Sequence, residues 1–493
     1  MKPKIILFNL FALLLGGCCK NCVVPEQVNY PKNARSGIKY TNSTTDLSRV
    51  AWWNKLRDPE LNQLIAKALA CNDTVKRSYA TIEQAQAQLK AAQYAWIPTL
   101  DATATGFAGG TWNSHVTPRG QLANSPFFSN LSNLRFRGYY AGFVPRYTVN
   151  ILNNIYNIKA AKASLAMEQA QSQSTKLGII SQMSGAYFML LSQREQLAVE
   201  KELTNDLKKL HQLEQIRFRK GASNIEIPIN IDQQLAQEEA KIPQIESVIA
   251  QSENTIHLLL NQNPGPIATH RSVLSLNLSH LIPSSLPSSV LKNRPDLIIA
   301  LNNLKIAEAQ IGMAYSAFFP TITLTSLIGG ASVDLRNLLK LSTNIWVAQA
   351  AASTKIFNAS SYADIKSAKA GFKATYYDYL YTLHSAFADV DDALTNEQNN
   401  NLSYLQTQKG YQAARKAYRV ALAQYKSGAR DYRNVINAKI NLDRSKLNLI
   451  QEKAQLLDSI VQVYNEVAGG YDAEIITRAS KQPGKSRQSQ MSL

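Results

Sequence analysis

The sequence predicts an internally duplicated α+β membrane protein, in which very long helices continue strand hairpins of a β-barrel shared between copies of the chain. Three observations carry this. A set of local motifs occurs twice in order, two 70-residue stretches contain no proline, and each stretch follows a segment that reads as a strand hairpin. The composition excludes several other classes. With 493 residues and 45% hydrophobic content, wholesale disorder is excluded. Beyond residue 17 no apolar run approaches the roughly 20 residues of a bilayer-spanning helix, which excludes a helical membrane bundle. Four cysteines are too few for a disulfide scaffold. The net charge of +18 comes from dispersed Lys and Arg, without the patch that phosphate binding needs.

The N-terminus reads as a targeting segment, residues 1–17. Lys2 and Lys4 precede a short apolar stretch from Ile5 to Leu15, and Leu15-Gly16-Gly17-Cys18 follows. This resembles a bacterial lipobox, in which small residues flank the scissile bond and the cysteine thiol carries the lipid. Cys18 is the expected lipidation site, and the absence of Asp after it favours outer-membrane sorting by the same resemblance. The alternative is an ordinary signal peptide with a chance cysteine. Cys19 and Cys22 form a C-x-x-C pair without the second ligand pair a zinc site needs. Cys71 lies in a helical pattern and reads as a small buried residue.

The duplication sets the organisation, because a missed repeat misassigns a fold. Ala95-Trp96-Ile97-Pro98-Thr99-Leu100 recurs as Ala317-Phe318-Phe319-Pro320-Thr321-Ile322, and Arg217-Phe218-Arg219-Lys220-Gly221-Ala222 recurs as Gln424-Tyr425-Lys426-Ser427-Gly428-Ala429. The offsets are 222 and 207 residues, so the first hairpin carries the longer loop, between Gly109 and Asn133. The expected division is an N-terminal extended segment over 18–58, a first repeat over 59–270, a second repeat over 271–478 and a polar, disordered tail over 479–493.

Each repeat has the same predicted elements. A helix (from about 72; 295–318) leads to a hairpin (about 98–150; 320–356), a long helix (about 151–220; 358–427) and a returning helix (about 228–262; 429–468). The long runs are rich in Ala, Leu, Gln, Lys and Glu, strong helix formers. At about 1.5 Å per residue each spans roughly 105 Å if unbroken. Gly178, Gly185, Gly371 and Gly410 are the candidate breaks, and Gly221 and Gly428 the natural stops. Leu203, Leu207, Leu210 and Leu213 on one run, and Leu235, Ile242, Ile245, Ile249, Ile256 and Leu259 on the return, predict coiled-coil packing. Pro243 should kink the return.

Thr321 to Ile328 alternates with period two and is β-branched, which makes a strand; Leu100 to Phe107 alternates less cleanly. Return strands are expected over Leu134–Val149 and Thr343–Lys355. Phe136, Tyr139, Tyr140, Phe143, Tyr147 and Trp346 gather there, as in an interfacial girdle or ordinary strand packing. Four membrane-length strands cannot close a barrel, and an open edge is not viable in hydrocarbon. Spanning strands therefore demand a homo-oligomer.

At this point the chain resembles a known family, the TolC-type outer-membrane efflux factors, in their lipoprotein branch serving tripartite RND pumps. The markers are Trp52-Trp53 with Asp58-Pro59-Glu60-Leu61, Arg294-Pro295-Asp296-Leu297, Phe319-Pro320, Ile356-Phe357-Asn358, Ala388-Asp389-Val390-Asp391-Asp392-Ala393-Leu394 and the two glycine tips. The resemblance implies a homotrimer whose four strands per chain make a twelve-stranded outer-membrane β-barrel. The helices continue it as a long α-helical barrel through the periplasm. The implied role is a passive exit duct, with a periplasmic adaptor and an inner-membrane RND transporter as partners, outer-membrane lipid at the acylated cysteine and no nucleic acid.

The same resemblance places adaptor docking at Gly221, Ala222, Ser223, Gly428 and Ala429. It places the periplasmic aperture at Asn230, Asp431, Arg433 and Asn437. Here the chain departs from the family: Asn437 stands where an aspartate is common, and Arg433 where an apolar residue is usual. Two readings stay open, solvated tip charges with Asp431 partnering Lys426 and Arg430, or an aperture ringed by Arg433 that favours anions.

Enzyme chemistry has no sequence support. No GxGxxG, P-loop, HExxH or GxSxG occurs, and the six His lack ligand spacing. No cofactor or metal is expected. Asp389, Asp391 and Asp392 read as a solvated or salt-bridged helix face. The alternatives are the outer-membrane factor of a type I secretion system and, in a different class, a lipid-anchored periplasmic coiled-coil scaffold.

Overall fold

The computed structural model describes residues 35, 39–41, 49–110, 135–269, 271–278, 281–282, 285–287 and 293–472. Cys18, the Cys19–Cys22 pair, the first-hairpin loop beyond Gly110 and the 479–493 tail lie outside them. Strand β1 (Lys39–Thr41) is followed by a 3-10 turn at Trp52–Leu56 and by helices α1 (Pro59–Cys71) and α2 (Asp73–Tyr94). Then come β2 (Thr99–Gly110), β3 (Arg135–Val149), α3 (Ile151–Arg219) and α4 (Glu226–Leu259). A short β4 (Ser285–Pro287) precedes α5 (Pro295–Ser316), β5 (Thr321–Ser332), β6 (Asn344–Ser353), α6 (Ala359–Lys426) and α7 (Tyr432–Glu466). The order helix, hairpin, long helix, returning helix thus occurs twice.

The long helices are unbroken. Helix α3 has 69 residues and α6 has 68, so each is about 100 Å long. Gly178, Gly185, Gly371 and Gly410 lie inside them with nothing within 4 Å of an added Cβ, so they are tolerated rather than structural. Both helices begin on an asparagine cap: Asn150 accepts from the Asn153 amide, and Asn358 from the Ser360 amide. Helix α4 runs on through Pro243. The leucine stripe packs as expected, with Leu203, Leu207 and Leu210 against Ile231 and Leu235 of α4 and Ile436 and Ile440 of α7. Cys71 is only half-buried, because it is the last residue of α1 rather than an interior one.

The core sits midway along the helices. Trp52 and Trp53 are almost fully buried, and the Trp52 ring stacks on Tyr464 at a centroid distance of 4.9 Å. Asp58 caps α1 with its carboxylate and accepts the Tyr187 hydroxyl at 2.9 Å. Arg294 is buried and bonds Asp296 and Glu466, which ties the start of α5 to the end of α7. The 18–58 segment is more than an extended arm: β1 pairs in parallel with β4, Lys39 opposite Ser285.

Strands β2, β3, β5 and β6 form one antiparallel sheet in that order. The side chains sort by face, because neighbours along a strand alternate. Phe143, Ile328 and Trp346 are directly opposite one another across three strands, all exposed, with Tyr147, Leu324 and Ala350 in a parallel row. The other face carries Thr99, Arg146, Thr325 and Gln349 in one row and Thr148, Thr323 and Ala351 in the next. Pro145 sits in an interior strand, and the β3–β5 pairing passes over Val144 and Pro145, where a donor is missing. Gly142 and Gly329 face each other; a Cβ on Gly329 would lie 2.1 Å from the Ala141 carbonyl oxygen.

Candidate functional site

The two helix hairpins, α3–α4 and α6–α7, turn at the ends remote from the sheet. Both turns close by the same backbone chemistry. Gly221 (φ +71°) and Gly428 (φ +74°) take the left-handed conformation that glycine adopts without strain. The Ala222 amide donates to the Arg217 carbonyl at 2.8 Å, and the Ala429 amide to the Gln424 carbonyl at 2.8 Å. Each is the six-to-one bond of a Schellman cap, so the repeated glycines end the long helices for one physical reason.

The expected docking residues lie where the turns put them. Gly221, Ala222, Gly428 and Ala429 are exposed and Ser223 is half-buried. Asn230 and Asn437 are also exposed. Arg433 and Asp431, however, are engaged within the chain. Arg433 Nε lies 3.0 Å from Oε1 of Glu214, whose side chain is fully buried. The Ser223 hydroxyl donates to the other Glu214 oxygen at 3.0 Å, and Arg217 Nε approaches it at 3.8 Å. Arg217 reaches across to Asp431 at 3.4 Å. The expectation that Asp431 pairs Lys426 or Arg430 is therefore corrected: its partner is Arg217, because the end of α3 runs beside the start of α7.

These contacts make one unit of the two tips. A buried carboxylate needs compensation, and Glu214 draws it from both hairpins and from the first turn. Sequence reasoning missed Glu214. Its only local sign is Arg217 one turn on, and its other cation is far along the chain. Beside the clamp, Phe218, Ile225, Pro228 and Ile229 line a groove of about 360 Å³ with His211, Arg219 and Asp232.

Asp389 pairs with Arg294 at 3.5 Å and Asp391 with Arg35 at 3.3 Å, so this face is salt-bridged. Among the described residues, no group of three or more His, Cys, Asp or Glu is placed to hold a metal ion. No described helix is long and apolar enough to cross a membrane.

A family profile described as outer membrane efflux protein matches residues 64–262 and 286–469. The chain is 26% identical over 425 residues to the cation efflux system protein CusC of Escherichia coli, covering 84% of this chain and 87% of that protein. It is 27% identical over 395 residues to the solvent efflux pump outer membrane protein SrpC of Pseudomonas putida, covering 78% and 81%. Among solved structures, the Campylobacter jejuni CmeC outer membrane channel superposes with a TM-score of 0.77 at 22% identity, over 94% of this chain and 96% of that one. The open Neisseria gonorrhoeae MtrE outer membrane channel superposes with a TM-score of 0.74 at 22% identity, over 92% and 100%.

Proposed function

The chain belongs to the outer membrane efflux protein family, and from that premise we propose that three copies close one channel, the exit duct of a tripartite efflux pump. The observation that carries this reading is the sheet. It has four strands of 10 to 15 residues, long enough for a tilted crossing of the outer membrane. One face is apolar and aromatic, suited to lipid, and the other is hydroxyl-rich, suited to a wet lumen. Its edges, β2 and β6, each bond to one neighbour only among the described residues. Open edges are untenable in hydrocarbon, and pairing β6 of one copy with β2 of the next removes them all in a closed ring.

The division into two repeats, 59–270 and 271–478, gives each hairpin one long helix that carries the wall away from the membrane. Substrate passes down this wall without chemistry by the chain. Energy and selection come from an inner-membrane RND transporter, which a periplasmic adaptor joins to the duct at Gly221, Ala222, Ser223, Gly428 and Ala429. The aperture is framed by Asn230, Arg433 and Asn437, with Asp431 held by Arg217. Cys18 carries the lipid.

Native mass spectrometry of protein extracted from outer membranes tests the assembly. A trimer that has lost residues 1–17 and gained acyl mass is the expected result, with step-like conductance in planar bilayers. A lipidated monomer without conductance would sink the shared barrel.

A further inference from the structure

The duplication extends the proposed assembly from the sheet into the helical wall, because one seam between repeats lies inside the chain and can be read residue by residue. Helices α2 and α5 both have 22 residues and align without a gap at the 222-residue offset. Ile158-Lys159-Ala160-Ala161-Lys162-Ala163 of α3 recurs as Ile365-Lys366-Ser367-Ala368-Lys369-Ala370 of α6, which fixes their offset at 207. Helix α5 packs between α3 and α6, whereas α2 packs along α3.

The α3–α5 seam is tight. A Cβ on Gly312 would lie 2.4 Å from the Tyr156 ring. The Asn150 side-chain amide donates to the Ser316 carbonyl at 3.1 Å, and the Ser316 hydroxyl donates to Asn153 at 3.4 Å. Asn302, Ala309 and Ser316 stand seven apart on the face of α5 that carries Gly312, and all four are buried. Ala163 and Ala170 follow Tyr156 at the same spacing on α3 and are buried too. The opposite face of α3 carries Ser172 and Lys176, which meet Ser78 and Tyr79 of α2.

The counterparts of these residues in the other repeat are exposed. Ala80, Ala87, Lys90 and Tyr94 of α2 stand where α5 has Asn302, Ala309, Gly312 and Ser316, and all four are exposed. Ala363, Ala370 and Tyr377 of α6 stand where α3 has Tyr156, Ala163 and Ala170, and all three are exposed. Phe357, 89% exposed, takes the place of Asn150, and Tyr94, 61% exposed, that of Ser316. The sheet register sets both faces at one depth: Thr99, just beyond α2, is level with Arg146, Thr325 and Gln349, four residues before the end of β6.

Size and charge on the two exposed faces match each other. Lys90 stands where Gly312 receives the Tyr156 ring, and Ala363 stands where Tyr156 does, so the bulk has moved from one helix to the other. Asp364 lies beside Ala363; it and Lys90 are exposed, and neither meets an opposite charge among the described residues. We propose that α2 of the next copy takes against α6 the place that α5 takes against α3, with Lys90 and Asp364 paired across the seam. One edge of each copy then meets the other edge of its neighbour, a heterologous contact that closes into a ring. The inference rests on the shared-barrel reading and adds the residues that hold the wall below the membrane.

Disulfide trapping in isolated outer membranes tests the seam, in full-length protein whose Cys19, Cys22 and Cys71 are replaced by Ser. Lys90→Cys combined with Ala363→Cys should oxidise to covalent dimers and trimers that a reductant reverses. Gln88→Cys, on another face of α2, combined with Ala363→Cys should not. A trimer by native mass spectrometry that lacks the disulfide between positions 90 and 363, equal trapping by the control, or a disulfide closed within one chain overturns the seam and leaves the shared barrel standing. Monomers overturn both. Charge exchange supplies a readout without cysteine chemistry. Asp364→Lys should lower the temperature at which the trimer dissociates, and adding Lys90→Asp should restore it; an unchanged Asp364→Lys trimer, or no restoration, refutes the ion pair.

Discussion

Glu214 and Arg433 lie 219 positions apart in the chain and 3.0 Å apart in the fold, the carboxylate fully buried and the guanidinium about one-third exposed. The contact bolts the α3–α4 tip to the start of α7. Glu214→Gln keeps the shape and removes the charge, leaving Arg433 and Arg217 without their shared anion. With Arg433 partly in water, the cost is about 1–2 kcal/mol, felt locally. Faster tryptic cleavage at Arg219 and Lys220 is the expected outcome, together with longer or larger openings in planar bilayers. Unchanged cleavage and conductance would show that the two tips are held by something else.

Arg433 also contributes positive charge at the proposed aperture. Glu214 compensates part of its charge at 3.0 Å, so an Arg433→Leu channel does not simply lose one cation per copy; it also exposes the influence of Glu214. Both effects move selectivity towards cations. Reversal potentials across a salt gradient should shift in that direction, and a shift towards anions would contradict the arrangement.

The glycines divide into those the sheet needs and those the helices merely accept. Gly329→Val drives a branched side chain into the Ala141 carbonyl, since even its Cβ would lie 2.1 Å away, and strand backbone cannot yield without breaking the β3–β5 ladder. Loss of the proposed trimer from native mass spectra of the detergent-extracted protein is expected. Gly178→Ala meets nothing within 4 Å and should raise stability by about 0.5–1 kcal/mol, read as a higher unfolding midpoint.

What could be read from sequence follows from how local its cause is. The long helices were legible because proline is absent from them and glycine ends them, and each of those effects acts within one turn. The strand alternation of Thr321 to Ile328 was legible for the same reason, and its partners followed from the hairpin. The Glu214 clamp and the β1–β4 pairing were not legible. Each joins residues far apart in the chain, the clamp only once α3 and α7 lie side by side, and a lone Glu in a polar helix looks like solvated surface. Tyr187 on Asp58 and Arg294 on Glu466 are hidden in the same way.

Lys453 gives the protein a pH dependence whose sign follows from its burial. It is 3% exposed, and its ammonium donates to the Leu274 and Leu276 carbonyls at 2.9 and 2.7 Å, with the Tyr404 ring 5.7 Å away. Burial lowers its pKa to about 8, although the Glu195 carboxylate works the other way. The unfolded chain therefore binds this proton more tightly than the folded one between about 8 and 10.5. Stability must rise with pH across that window, by up to roughly 3 kcal/mol. Tyr464, raised to about 12, begins to oppose the gain only above the ordinary tyrosine value of 10.0. The usable range is thus about 8 to 10. Lys453→Met removes the proton and the slope, but it strands two carbonyls that the ammonium served. The variant should be less stable than wild type at pH 10 and closer to it at pH 8. Urea unfolding of the detergent-solubilised protein at both values reads this directly; parallel slopes for the two proteins would mean that Lys453 keeps its proton throughout.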